Sequence, residues 1–170
     1  GGGTDDSVGV PTATLSDVVI ADCFVRAPSG TAVGGGLVLH AGIMTMSNSS
    51  IDGCFASSPA GYGSGGGVAV LFNEKDEQSI SLSDTLITNC HASSEVYDGS
   101  GGGLFVGSPS VLVLSGTILR NCTASTVNAA AEGGGLFMSM GIISMHNSSI
   151  DGCTASVQAV DELGSKRARA

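Results

Sequence analysis

Five cysteines are the most regularly placed reactive residues in this 170-residue chain: Cys23, Cys54, Cys90, Cys122 and Cys153. An odd number cannot all pair within one chain, and the C-x-x-C pairs typical of zinc sites do not occur. If the repeats that carry them stack, neighbouring cysteines stand about 4.8 Å apart, whereas the Cβ atoms of a disulfide prefer about 3.8 Å. We therefore expect a buried, structural row of free thiols. One distorted adjacent disulfide and a metal site are the alternatives.

Carboxylates could indicate a polysaccharide lyase or hydrolase. The position six residues before each cysteine holds Asp17, Asn48, Asp84, Gly116 and Asn147. In stacked coils Asp17 and Asp84 would lie about 10 Å apart, at or past the upper edge of the range for inverting glycosidases. Asp52 and Asp151 would lie about 14 Å apart. We expect no Lys or Arg in register beside them, and therefore no catalytic residues.

Histidines and glycines complete the candidate chemistry. His40, His91 and His146 occupy three different positions relative to the cysteines, so they build no shared site. Gly triplets begin at residues 1, 34, 65, 101 and 133. A phosphate-binding loop would need a following Lys-Ser/Thr pair, which is missing after every triplet. Tight packing at a corner explains the triplets better, and we expect no cofactor and no metal.

Two further features could take part in recognition. Sequons for N-glycosylation begin at Asn48, Asn121 and Asn147. A charged insertion, made of Asn73, Glu74, Lys75, Asp76, Glu77 and Gln78, is expected to form a solvent-exposed interaction loop.

An internal repeat of about 32 residues organises all of these residues. The distance from each cysteine to the next triplet is always 11 residues, and the segment 48–54 recurs unchanged at 147–153. Such repeats predict one domain, residues 1–163, with coils starting near residues 1, 34, 65, 101 and 133. Residues 164–170 form a basic C-terminal tail that has left the pattern, either frayed or a partial cap.

Apolar residues in each repeat alternate with a step of two, which predicts short strands with one buried face. Between these pairs the step is odd, so the chain must bend, as the small polar pairs Asn48-Ser49 and Asp52-Gly53 permit. Each repeat is then a loop of about three short strands, and stacked loops bury a common core. The sequence therefore predicts an all-β, right-handed parallel β-helix of about five coils. Leu114 and Ile87 are expected to be fully buried.

Composition restricts the function classes further. The net charge is −9, which disfavours nucleic acid as a partner, and no apolar run approaches the length of a membrane helix. Neither an initiating Met nor a signal peptide is present. We interpret the chain as a segment of a longer extracellular or cell-surface protein, with flanking coils as its neighbours.

Gly-Gly-Gly-Leu followed about 20 residues later by Ile-x-x-Cys resembles the Gly-Gly-Ala-Ile plus Phe-x-x-Asn repeat of chlamydial polymorphic outer membrane proteins. Those proteins are autotransporter adhesins with a β-helical passenger, and the resemblance covers nearly all of residues 13–157. It implies a non-catalytic, structural or adhesive segment that meets a glycan or a cell-surface protein through its flat outer sides and the insertion, not through a pocket. The alternatives are a part of a pectate-lyase-like polysaccharide enzyme and a purely mechanical spacer.

Overall fold

Five narrow β-sheets wrap around a common core in a computed structural model of the protein, which describes residues 10–71, 78–107, 110–160 and 166–168. Every sheet is parallel except at one edge, and no helix occurs in the described part of the chain. The strands stack into a β-solenoid of about four turns with a repeat of about 32 residues. The predicted all-β parallel solenoid is therefore confirmed.

Each coil adds one strand to each sheet, and the sheets are numbered here in the order in which the chain enters them. Sheet 1 contains Thr12–Ser16, Ile43–Ser47, Gln78–Ser83, Ser110–Ser115 and Gly141–His146. Sheet 2 contains Val19–Ala21, Ser50–Asp52, Leu86–Thr88, Ile118–Arg120 and Ser149–Asp151. Sheet 3 contains Phe24–Arg26, Phe55–Ser58, His91–Ser94, Thr123–Thr126, Thr154–Val160 and Lys166–Ala168. Sheet 4 contains Ala32–Val33, Gly63–Ser64, Gly99–Ser100 and Ala131–Glu132, and sheet 5 contains Leu37–Leu39, Val68–Val70, Leu104–Val106 and Leu136–Met138.

Like residues stack on like in the core, because the strands pair without a shift in the repeat. One column in sheet 1 consists of Leu15, Met46, Leu82, Leu114 and Met145, and one in sheet 2 consists of Ile20, Ile51, Ile87, Leu119 and Ile150. Leu114 and Ile87 are both 0% exposed, as predicted. Side chains of Gln78–Ser83 alternate strictly between buried and half-buried, the pattern of a strand with one face in the core.

The corners between sheets 1, 2 and 3 lie where the odd steps in the sequence predict them. Asn48 and Gly53 both have positive φ, of 48° and 62°. The number of strands per coil is larger than predicted, five instead of about three. The additional strands are very short, such as the two residues of Gly63–Ser64, and two residues show no alternation that sequence inspection could detect.

One sequence prediction needs correction at the level of elements. Gln78 belongs to a strand and not to the insertion loop: it begins a strand of sheet 1, is 2% exposed, and donates a hydrogen bond from Nε2 to the His40 carbonyl at 2.9 Å. The rest of the predicted loop, 73–77, lies outside the described residues. Within the tail, Lys166–Ala168 pair antiparallel with Gln158–Val160 at the edge of sheet 3.

Candidate functional site

The five cysteines line the inside of the turn between sheets 2 and 3. Cys54, Cys90 and Cys122 are buried, while Cys23 and Cys153 in the outer coils are half-buried, and all five are free thiols. Each thiol donates to the carbonyl two residues earlier, for example Cys90 Sγ to Thr88 O at 3.1 Å.

The thiols of the row differ in pKa: the hydrogen bond with Cys90 lowers the pKa of Cys122 to about 7, whereas the pKa values of three other thiols are raised. Burial raises the pKa of the Cys54 and Cys153 thiols. The pKa of the Cys90 thiol is also raised, because of its interaction with Cys122 and because it is buried. Neutral thiols packed among Leu and Ile act as small apolar groups, and at Cys54, Cys90 and Cys153 the thiolate form that a nucleophile or metal ligand needs is disfavoured.

The Gly triplets are explained by the same thiol row. A Cβ on the third glycine of a triplet would lie 3.1 Å from Cys54 Sγ at Gly36 and 3.1 Å from Cys122 Sγ at Gly103. The first glycine of the triplet 34–36 has a φ of +60°, which side chains rarely adopt. In each described triplet the third glycine packs against a cysteine sulfur, and the second packs against backbone, as Gly35 does against Gly66 and Phe55. Neither position has room for a side chain, so triplet and cysteine recur together.

The candidate carboxylates occupy turns with left-handed backbone. Asp17, Asn48, Asp84, Gly116 and Asn147 all have φ between 47° and 60°, a conformation that Asn, Asp and Gly tolerate best. Asn48 lies between Asp17 and Asp84 in this column, since their backbone NH groups bond to successive coils. The structure therefore does not bring the two carboxylates together.

The other two aspartates have separate partners as well. Asp52 Oδ1 accepts hydrogen bonds from Thr88 at 2.6 Å and from Asn89 at 2.7 Å, which lower the pKa of Asp52. Asp151 pairs with Arg120 at 3.6 Å, with both side chains more than half exposed. Arg120 stands in register with Asp151 on the neighbouring strand, so the expectation that no Lys or Arg lies in register beside these aspartates was wrong. Such an exposed ion pair contributes little stability.

The histidines and sequons lie at scattered surface positions. His40, which directly follows a strand of sheet 5, and His146, at the end of a strand of sheet 1, are exposed. His91 is half-buried in sheet 3, and its Nε2 lies 3.1 Å from Ser125 Oγ. Within the described ranges, no group of three or more His, Cys, Asp or Glu side chains is arranged to hold a metal. The three sequon residues, Asn48, Asn121 and Asn147, are all exposed and all have positive φ.

A column of internal hydroxyls was missed by sequence reasoning. Ser49, Thr85 and Thr117 are almost fully buried and donate to core carbonyls, as Ser49 does to Ser47 O at 2.6 Å and Thr85 to Ser83 O at 2.9 Å. Some also join coils, since Val18 N donates to Ser49 Oγ at 3.1 Å. The signal was available: the position five residues before the cysteine is Ser or Thr in four of the five repeats.

Stacked rings follow the coils on the outside of the solenoid. Phe24, Phe55 and His91 form one ladder on sheet 3, with centroid distances of 5.3 and 4.8 Å and nearly parallel rings. Phe105 and Phe137 stack on sheet 5 at 5.5 Å and 10°. Tyr62 and Tyr97 form a tilted pair at 5.0 Å.

A groove with a volume of about 370 Å³ lies between sheets 4 and 5. Two columns near and on sheet 4 line one side: Thr31, Tyr62 and Asp98 form the first, and Val33, Ser64, Ser100 and Glu132 the second. Phe105, Phe137, Leu71 and Gly107 line the other side. This groove combines aromatic, hydroxyl and carboxylate groups. Sequence reasoning expected recognition without a pocket and missed it, although the recurrence of Phe105 and Phe137 at one repeat position was a signal.

No protein-family model, no curated protein and no solved structure matches this chain. None of the described segments forms an apolar helix of the length that a membrane span requires.

Proposed function

We propose that this chain is a non-catalytic, structural and adhesive β-solenoid segment of a larger cell-surface or secreted protein, which binds a glycan or a cell-surface protein. The observation that carries the proposal is the placement of aromatic ladders on the outside of the solenoid. Phe24 is 59% exposed, and Tyr62 and Tyr97 are each 45% exposed. Exposed aromatic rings in register are common at recognition surfaces.

The solenoid architecture supports this role mechanically. Each coil is hydrogen-bonded to its neighbours through five sheets, so outward side chains repeat at about 4.8 Å along a stiff axis. The shared architecture also supports the resemblance to the repeats of chlamydial polymorphic outer membrane proteins, whose β-helical passengers are adhesive. On this proposal the thiol row and the Gly triplets serve folding, and the outer columns serve binding.

One observation favours an alternative, a part of a polysaccharide-active enzyme. Asp98 and Glu132 both line the groove between sheets 4 and 5, and paired carboxylates can act as acid and base on a glycan. Asp98 Oδ1 accepts a hydrogen bond from Ala130 N at 3.0 Å, which gives this carboxylate a structural partner. We therefore favour a binding function over a catalytic one.

A glycan array and an adhesion assay on host or neighbour cells, followed by a reducing-end assay on every glycan bound, test these alternatives. The adhesive proposal expects binding without release of reducing ends. Binding to neither glycans nor cells would instead identify a mechanical spacer, and release of reducing ends that is lost in Glu132→Gln would identify an enzyme. Deleting residues 73–77, with Gln78 retained for its strand, should weaken adhesion and leave the circular-dichroism spectrum unchanged.

A further inference from the structure

Two hydroxyls in the groove between sheets 4 and 5 have no protein partner. Ser64 and Ser100 are each 5% exposed, and in the described part of the chain neither hydroxyl makes a hydrogen bond. Other buried hydroxyls of the coil are satisfied, as Ser94 Oγ donates to Gly61 O at 2.7 Å and Thr126 Oγ1 to Tyr97 O at 2.8 Å. Among the described residues no fully enclosed side-chain oxygen or nitrogen lacks a partner, so the Ser64 and Ser100 oxygens open into the groove, where a ligand with polar atoms can bond to them.

Aromatic rings stand beside these hydroxyls. Phe105 and Phe137 are half-buried in the same groove, and Tyr62 lies on its other side. Flat apolar rings next to hydroxyl and carboxylate oxygens match a sugar, which has an apolar C–H face and a rim of hydroxyls. Ser64 and Ser100 can donate to or accept from those hydroxyls, while Asp98 and Glu132 can only accept when ionised.

The charges of the groove select against acidic glycans. Asp98 and Glu132 contribute negative charge, and none of the lining residues is Lys, Arg or His. Arg26 and Arg120, the cations whose side chains the structure describes, lie on sheets 3 and 2. A uronate or sulfated sugar would therefore meet like charge without a compensating cation.

The backbone of the groove argues against an extended peptide that adds a strand. The carbonyls of Ser64 and Ser100 already accept hydrogen bonds from Gly34 N and Gly65 N at 3.0 Å. Sheet 4 offers no open strand edge along the groove, so recognition there depends on side chains. The equivalent groups recur once per coil, about 4.8 Å apart, which suits consecutive sugars of an extended chain.

We propose that the groove lined by Tyr62, Ser64, Asp98, Ser100, Phe105 and Phe137 binds a neutral or amino-sugar glycan lying parallel to the solenoid axis. This inference rests on the proposed adhesive function and names its site and ligand class. The groove has a volume of about 370 Å³, which lies within the range of about 300–1,000 Å³ that small-ligand sites occupy.

Binding of fluorescent oligosaccharides to the full chain tests the proposal. The probes are neutral β-linked gluco-, manno- and xylo-oligosaccharides, chitosan oligosaccharides for the amino-sugar class, oligogalacturonate as the acidic class, and oligolysine as a cationic peptide. We expect saturable binding of a neutral or chitosan probe, with no binding of oligogalacturonate. Binding of the neutral oligosaccharides identifies a neutral glycan as the ligand class, and binding of the chitosan oligosaccharides identifies an amino-sugar glycan.

Variants locate the binding site. Ser64→Ala/Ser100→Ala removes both unpaired hydroxyls with almost no change in volume, and we expect the affinity to fall about tenfold. Phe137→Ala should weaken binding to a similar degree. Ser81→Ala, an outward serine on sheet 1 away from the groove, is the matched control and should bind as the wild type does. Thermal unfolding of every variant checks that the fold is retained.

Other results would overturn the inference in distinguishable ways. Glycan binding that the serine double variant leaves unchanged would place the site elsewhere and leave the adhesive function standing. Binding of oligolysine alone or of oligogalacturonate would show that the ligand class is wrong. Absence of binding to any probe, with cell adhesion preserved, would refute the groove as a glycan site, whereas loss of both would refute the adhesive function too.

Discussion

At the scale of single residues, backbone conformation explains why Asp and Asn recur at positions where a catalytic role was considered. The column of Asp17, Asn48, Asp84, Gly116 and Asn147 shares a left-handed conformation, and a second column, of Asp22, Gly53, Asn89, Asn121 and Gly152, shares it immediately before each cysteine. Only residue types that tolerate positive φ occupy these ten positions. The repetition of Asp, Asn and Gly in the sequence therefore reflects the left-handed backbone conformation at the corners between strands.

Substitutions at Asp84 should separate the role in the backbone from any role of the carboxylate. Asp84→Asn keeps a residue type that accepts positive φ, so the free energy of unfolding should change by less than about 0.5 kcal/mol. Asp84→Val forces a β-branched residue into the left-handed region and should cost about 1–2 kcal/mol. Urea denaturation measures both values.

The control for this prediction is Ser81→Val on the preceding strand. Ser81 faces outward and pairs with Val113 in the next coil, so valine already fits that column. Ser81→Val should leave stability almost unchanged. Equal costs for Asp84→Asn and Asp84→Val would show that the carboxylate, and not the backbone conformation, matters at position 84.

At the scale of elements, the sequence predicted the strands that alternate and missed those that do not. Core columns and the corners at Asn48 and Gly53 follow from period-two patterns broken by odd steps. The two-residue strands of sheet 4 are too short to show a period, so the side of the groove that they line could not be predicted, whereas the recurrence of Phe105 and Phe137 indicated its other side. Gln78 was misassigned because its polarity matches the preceding charged residues, although its side chain is satisfied inside by the His40 carbonyl.

The ring ladder on sheet 3 gives an element-scale prediction about pH. Burial lowers the pKa of His91, which stacks on Phe55 at 4.8 Å. His91 binds a proton more readily in the unfolded chain, where its pKa is about 6.5, than in the folded chain. The contribution of neutral His91 to the free energy of unfolding is therefore fully present above that pH and is lost as the pH falls. The wild type should therefore lose more stability between pH 7.5 and 5 than His91→Phe, which continues the ladder without a titrating group.

Urea midpoints at the two pH values measure this difference. The carboxylates titrate in both proteins, so their contribution cancels in the comparison. Equal losses in wild type and His91→Phe would mean that His91 is as accessible to protons in the folded chain as in the unfolded one, and that burial in the ladder does not affect its charge.

At the scale of the whole molecule, burial rises from the outer coils to the middle. Ile80, Leu82, Leu112 and Leu114 are 0% exposed, whereas the inward residues of the last coil, Ile143, Met145 and Ile150, are 42%, 43% and 44% exposed. Contacts in a solenoid reach only the neighbouring coils, so stability is a sum over coils and their interfaces. Two residues of the same type at the same repeat position should therefore contribute differently to the free energy of unfolding when one lies in a middle coil and the other in an outer coil.

Ile87 and Ile150 provide a matched pair for this expectation, because both stand in the sheet 2 column and are joined through Leu119. Ile87 is 0% exposed with a coil on either side, and Ile150 is 44% exposed with a coil on one side. Ile87→Ala should cost about 2–5 kcal/mol, since it removes three buried carbons and leaves a cavity. Ile150→Ala should cost less than about 1 kcal/mol, because its partly exposed side chain leaves no enclosed cavity.

Urea denaturation at two protein concentrations measures the cost of both substitutions. Equal costs that rise with concentration would show that the last coil is covered by a second copy in solution, and equal costs independent of concentration would contradict the nearest-neighbour account of this solenoid.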